Sequence, residues 1–300
     1  MKVFDCTTFF DENLMLEVRF NILNKYVDKF IITEAKFSHS GDKKKLNFDI
    51  NKFSEFKKKI IYSVIENEPP DIIYKKRENS FIEDKKDMRL NSIKRIAFQR
   101  NKIFDCLSEA NKEDYIFYSD NDEIPNFENF DFHNEQDDIF IFKQKLFYYK
   151  FNLFCDRLDW YGTKGCKKKN LSSFSWLREV KAKKYSKLRV DTLFSKTKYS
   201  NIKIIENGGW HFSQLKTAKD IEIKLLNQEH HDEYRLAKDN LPKVEDLIKR
   251  KAIIYDHKAK SSDFKFSKEF KLKTLPINEM PVFLRENIDK YTKWFDLDKK

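Results

Sequence analysis

The sequence predicts an α/β fold: a sheet flanked by helices, followed by a helical C-terminal region. Three observations carry that prediction. Up to Pro125, apolar runs and amphipathic stretches come in the order strand, helix, strand, strand, helix, strand. Beyond Pro125 the segments become long, aromatic and partly alternating, which suits extended strands rather than another crossover unit. From Thr217 onward the pattern is helical.

The elements follow in order. KVFDCTTFF reads as a buried first strand; Asp11 then offers a helix N-cap, and Leu16, Phe20, Leu23 and Val27 recur at helical spacing. KFIITEA (Lys29–Ala35) is a second strand, and KKIIYSVIE (Lys58–Glu66) is a third, stopped by Pro69 and Pro70. A long helix is expected from Asp84 to Ala110, with Ile93, Ile96, Ala97, Ile103, Phe104 and Leu107 on one stripe. DYIFYS (Asp114–Ser119) is a fourth strand. Asp137–Phe154, KLRVDTLFS (Lys187–Ser195) and NIKIIENGGWHFS (Asn201–Ser213) read as further strands. KDIEIKLLNQ, LPKVEDLIKRKAII and PVFLRENIDKYTKWF read as helices. No internal repeat or Gly/Ser linker divides the chain, which predicts one domain over residues 1–300.

A chain of 300 residues can bury a substantial core, and its 29 Phe and 13 Tyr exclude a disordered polymer. The formal charge of +11 biases it toward anionic partners, among them phosphates, nucleotide sugars, nucleic acids and anionic lipid, without choosing one. No stretch reaches the roughly 20 apolar residues that cross a bilayer, and the N-terminus lacks the apolar core and cleavage site of a signal peptide. Cys6, Cys106, Cys155 and Cys166 show no C-x-x-C spacing and are expected to be reduced packing residues of a cytosolic protein.

Two motifs carry chemistry. In YIFYSDNDEIPNF (Tyr115–Phe127), a strand persisting past Ser119 would project Asp120 and Asp122 to one face, opposite Asn121 and Glu123. Two carboxylates aimed at one point call for a cation such as Mg²⁺ or Mn²⁺, and ligands of open α/β sheets gather at the carboxyl ends of the strands. The alternative is an Asx-rich turn ended by Pro125. In NGGWHFS (Asn207–Ser213), paired glycines permit an unusual backbone or a close approach. Trp210 there suits stacking on a sugar and His211 suits a metal; the alternative is a buried Trp in a strand bend beside a satisfied core His.

Taken together, the motifs resemble glycosyltransferase family 17, which includes the β-1,4-mannosyl-glycoprotein 4-β-N-acetylglucosaminyltransferases. KVFDCTTFFDENLMLEVRFNIL, DKFIITEAKFSHSG, QRNKI (Gln99–Ile103), YSDNDEIP, WYGTK (Trp160–Lys164), NGGWHFS, HDEY (His231–Tyr234) and LPINEMPVFLRENIDKY resemble family segments in the family's order. The resemblance implies a GT-A-like nucleotide-sugar-binding sheet. Residues 1–126 would form its nucleotide-binding half, 127–216 the acceptor-side strands and loops, and 217–300 the helical part.

The reaction implied is inverting transfer of a sugar, GlcNAc-type, from a nucleotide donor, expected to be a UDP-sugar, to a glycan hydroxyl with Mn²⁺ or Mg²⁺. Asp120, Asp122 and His211 would hold the metal, and Glu34, Arg100, Asn101 and Asp120 would contact the donor. Trp160 and Trp210 would stack on the acceptor, and Glu233 would serve as general base, with His231 and Asp232 as substitutes. The animal enzymes carry a membrane anchor and stem that this sequence does not show. That favours a bacterial or viral glycan made in the cytoplasm, including a lipid-linked acceptor approached from the membrane periphery, with no nucleic-acid partner.

Other classes stay open on the residues alone. They are a metal-dependent phosphoryl or nucleotidyl enzyme acting on nucleic acid, a non-catalytic glycan-binding protein, and a glycoside hydrolase. The hydrolase would need its carboxylates on opposite sides of the sugar.

Overall fold

The computed structural model describes residues 1–297 apart from 78, 79, 83, 84, 129, 187, 261, 262 and 267. The expected helix start at Asp84 and strand start at Lys187 therefore lie outside the described residues. The first half runs β1 (Val3–Phe9), α1 (Asn13–Leu23), β2 (Lys29–Ala35), β3 (Ile60–Ile65), a hairpin of β4 (Lys75–Arg77) and β5 (Ser80–Ile82), α2 (Lys85–Lys102) and β6 (Tyr115–Tyr118). Next come β7 (Glu123–Pro125), β8 (Ile139–Tyr148), β9 (Leu153–Phe154), β10 (Trp160–Lys167), α3 (Phe174–Glu179), α4 (Val190–Leu193), β11 (Ile202–Ile205) and β12 (Gly209–Ser213). Helices α5 (Ala218–Asn227), α6 (His231–Ala237) and α7 (Val244–Lys249) follow. The chain closes with β13 (Ala252–Ile253), β14 (Phe270–Lys271), β15 (Lys273–Thr274), α8 (Val282–Glu286) and α9 (Ile288–Tyr291).

One sheet organises the molecule. Its main path is β15-β9-β8-β10-β6-β1-β2-β3. Strands β3, β2, β1 and β6 are parallel, and β10 is antiparallel to both β6 and β8. Strand β12 runs parallel to β8 and antiparallel to the short β7. Strands β1, β2 and β6 are buried on both sides, so their alternate apolar residues feed two cores. Phe9, Phe30, Phe117 and Phe140 enter one with Leu16 and Phe20 of α1; Phe4, Ile31, Ile116 and Tyr118 enter the other with Ile103 and Phe174. A third cluster joins Leu146 and Tyr148 of β8 to Ile221 and Leu225 of α5 and Val244 of α7.

Several expectations are corrected. Asp11 does not cap α1: the N-cap is Glu12, and the Asp11 carboxylate is taken by Lys216. The long helix ends at Lys102 and tightens to a 3₁₀ turn, Ile103–Cys106. Ile93 and Phe104 of its supposed apolar stripe are exposed. Ile96, Ile103 and Leu107 of the stripe are buried, and on α2 Ile96 shares the inside with polar Asn91, Arg95 and Gln99. Asn91 bonds both backbone groups of Ile73, Arg95 pairs with Glu68, and Gln99 donates to the carbonyl of Thr33 at 3.2 Å. The segment around Leu188–Ser195 is loop and the short α4, not a strand, because no neighbouring strand pairs with it. The helical C-terminal part also contains β13, β14 and β15.

Candidate active site

The site forms where β1 and β6 end. Strand β6 stops at Tyr118, and residues 119–122 turn before β7 begins at Glu123. The two aspartates therefore sit in a turn, closed by the Glu123 amide donating to the Asp120 carbonyl at 3.0 Å, and not on a continuing strand. Arg19 of α1 clamps this turn from within the core. Its guanidinium forks onto Asp5 at 2.7 and 2.5 Å and also donates to the Glu123 carbonyl at 2.7 Å and Ser119 Oγ at 2.6 Å. The Phe212 amide holds the other side, donating to the Asp122 carbonyl at 2.8 Å.

The two carboxylates take different partners. Asp120 accepts from Tyr118 Oη at 3.0 Å, Arg178 at 3.1 Å and Arg100 at 3.4 Å. Burial opposes its charge, but the guanidiniums of Arg178 and Arg100 outweigh it and hold the carboxyl below the usual range. Asp122 lies against Lys224 of α5 at 3.2 Å and His211 Nε2 at 3.5 Å. There too burial is outweighed, chiefly by Lys224, and the carboxyl is held low. Lys224 also reaches Glu12 at 3.3 Å. Burial works against the Glu12 carboxylate, yet Lys216 and Lys224 bring it down to about 2.

Glu123 is the hub beneath them, fully buried. It takes a two-pronged bond from Arg178 at 2.6 and 2.7 Å, the Trp160 indole N–H at 2.6 Å and the Asp120 amide at 2.9 Å. Gly162 makes room for it: a Cβ there would stand 2.6 Å from Glu123 Cδ. Two residues along the same strand stands Lys164, whose ammonium donates to the carbonyls of Arg178 and Val180 and is pushed by burial to about 7.

These groups line a cleft of about 240 Å³ whose walls include Thr8, Glu12, His39, Arg100, Trp160 and Lys224. Asp120, Asp122 and His211 line it as well. The paired glycines serve both expected purposes. Gly209 has φ +122°, and a Cβ on Gly208 would meet the β8 backbone at 2.7 Å. That close seating brings His211 to Asp122, with its Nδ1 buried and without a hydrogen-bond partner.

Among the described residues no cluster of three or more His, Cys, Asp or Glu forms a metal-ligand set. Asp122 and His211 do meet, and a carboxylate oxygen beside an imidazole nitrogen suits Mn²⁺ or Mg²⁺. Those two residues fit such an ion; Asp120, bound to arginines, does not join them.

Other expected site residues fall elsewhere. The Glu34 carboxylate is buried and engaged by Lys44, the amides of Asn47 and Phe48, and Tyr62, so it shapes the 44–48 loop outside the cleft wall. Asn101 accepts the Ser175 amide at 2.9 Å, joining α2 to α3. Glu233 and Asp232 are both ion-paired with Arg89, and Glu233 also accepts the Lys265 amide at 3.0 Å. His231 is buried, its Nδ1 at 2.9 Å from the Gln228 carbonyl. None of these three lines the cleft, although Gln228 and Glu229 just before them do.

Trp210 is turned away. Neighbours on a strand face opposite ways, so with His211 in the cleft Trp210 lines a separate groove of about 640 Å³ and donates to the Glu279 carbonyl at 3.0 Å. The alternation rule applied to GWHFS would have separated the two. Arg178, Lys224 and Glu12 carried no local sequence signal, since each is charged in a stretch that reads as surface.

His39 makes the site's stability pH-dependent. Burial, reinforced by Arg100, lowers its pKa from 6.5 to about 4. Between those values the unfolded chain takes up the proton and the folded one resists it, so stability falls as pH drops from 6.5 toward 4. Thermal melts over that window are expected to show a falling midpoint, and a shallower fall in His39→Gln. An equal slope in the variant would remove His39 as a source.

The family model of glycosyltransferase family 17 matches residues 1–295. No curated protein matches the chain.

Proposed function

Because the chain belongs to glycosyltransferase family 17, we propose that this cleft binds a nucleotide-sugar donor and transfers its sugar, with inversion, to a glycan hydroxyl. The observation that carries the reading is the meeting of Asp122, His211, Arg100, Trp160 and Lys224 in one cleft at the carboxyl ends of parallel strands. The order β3-β2-β1-β6 followed by antiparallel β10 supports a GT-A-like sheet, with the acidic turn directly after β6.

Asp122 and His211 would hold a divalent cation. When bound, that ion would neutralise charge developing on a departing nucleoside diphosphate. Arg100 and Lys224 bring positive charge to the same cleft and would orient the diphosphate. Trp160, packed on His211 with ring centroids 4.5 Å apart, offers a stacking face for a sugar. We assign the base to Glu229 rather than Glu233: Glu229 lines the cleft, whereas Glu233 is held by Arg89 outside it. A GlcNAc-type donor is the reading that follows from the family's known members.

The test is nucleoside diphosphate release from a panel of nucleotide sugars with Mn²⁺, alongside the thermal shift produced by UDP with Mn²⁺. Turnover of at least one donor is expected. Glu229→Gln should keep the thermal shift and lose transfer to an added acceptor. Absence of both turnover and thermal shift across the panel would overturn the assignment.

A further inference from the structure

The stretch between α3 and β11 has an unusual surface. Leu188, Val190 and Phe194 are 92%, 67% and 85% exposed, among the most exposed large apolar side chains described. Scattered exposed hydrophobics need no explanation, but three within seven residues do. Around them stand Lys181, Lys183, Lys184, Arg189, Lys196 and Lys198, against a single acid, Asp191. Arg189 and Lys198 neutralise that acid at 2.8 and 2.9 Å.

The base of the loop is tied together: the Lys181 amide donates to the Thr197 carbonyl at 2.8 Å and the Tyr185 amide to the Tyr199 carbonyl at 3.1 Å. The Trp176 indole donates to the Lys196 carbonyl at 2.8 Å. The Tyr185 ring gathers the cations of Lys183, Arg189 and Lys198 at 5.8, 5.5 and 5.9 Å. A single aromatic thus concentrates positive charge beside exposed apolar groups.

We propose that this loop docks the protein on an anionic phospholipid surface, Leu188, Val190 and Phe194 entering the interface and the lysines and arginines meeting headgroup phosphates. Charge complementarity selects this occupant. An apolar protein surface would gain nothing from the ring of cations, whereas basic and apolar groups together are what an anionic bilayer rewards. The loop begins three residues after Arg178, which holds Asp120, so its base is joined to the candidate site. The inference does not depend on the transferase reading, since it is tested without any donor.

The experiment is cosedimentation of the full chain with vesicles of phosphatidylcholine alone or mixed with phosphatidylglycerol, at low and high salt. Expected is binding at least roughly tenfold stronger to the anionic vesicles, weakened by salt. The combined variant Leu188→Ser, Val190→Ser and Phe194→Ser should lose most of it. Its thermal midpoint should not change, because those side chains are exposed. Lys183→Glu with Lys184→Glu should abolish the preference for anionic lipid. Equal binding to both vesicles, undiminished binding of the serine variant, or salt-sensitive binding to RNA without vesicle binding would each overturn the proposal.

Discussion

Replacing Arg19 by alanine is expected to destabilise the protein by about 3–5 kcal/mol, the cost of stranding a buried carboxylate. Arg19 and Asp5 have side chains 0% and 1% exposed, so the Asp5 carboxylate would be left buried without its counter-charge. The same substitution releases Ser119 Oγ and the Glu123 carbonyl, so the acidic turn should loosen even where the chain stays folded. Urea unfolding gives the first effect and nucleoside diphosphate release the second. Arg19→Met combined with Asp5→Leu should recover part of the stability, because the penalty lies in leaving one charge unpaired. A loss below about 1 kcal/mol for Arg19→Ala would mean that the clamp contributes no more than an exposed pair.

Asp122→Asn is expected to lower sugar transfer by about 10²–10³-fold, the scale of losing one preorganised electrostatic group. The fold should survive, since Lys224 keeps Glu12 at 3.3 Å and the turn keeps its backbone bond from Phe212. The informative comparison is transfer rate against the urea midpoint. Activity near wild type would remove Asp122 from the chemistry, whereas parallel loss of activity and stability would make it a structural residue. Asp120→Asn should act differently: Arg178 keeps its two bonds to Glu123, Arg100 keeps Tyr118, and the Asp122–His211 pair stays in place. A smaller loss than for Asp122→Asn is expected in the same assay.

Much of the fold was legible because its causes are local. A strand buried on both faces reads as a mostly apolar, β-branched run, which is why the FII of KFIITEA marked β2 even though buried Thr33 and Glu34 interrupt it. Thr217 marked the turn to helix because its hydroxyl caps α5, accepting the Asp220 amide. Errors arose where a pattern was ambiguous. KLRVDTLFS alternates like a strand but has no neighbour to pair with, and α2 buries amides and a guanidinium that a hydropathy stripe cannot recognise.

The candidate site divides in the same way. Position along the chain placed Asp120 and Asp122 at a strand end, and brought His211 and Trp160 into consideration, because strand ends and glycine pairs are written in short stretches. What answers those carboxylates was decided only in three dimensions. Arg178 lies 58 residues from Asp120, and Lys224 lies 102 residues from Asp122. A charged residue reads as solvated surface until the fold withdraws it from water. Only then does its partner become obligatory, because an unpaired charge in the interior costs more than the fold can spare.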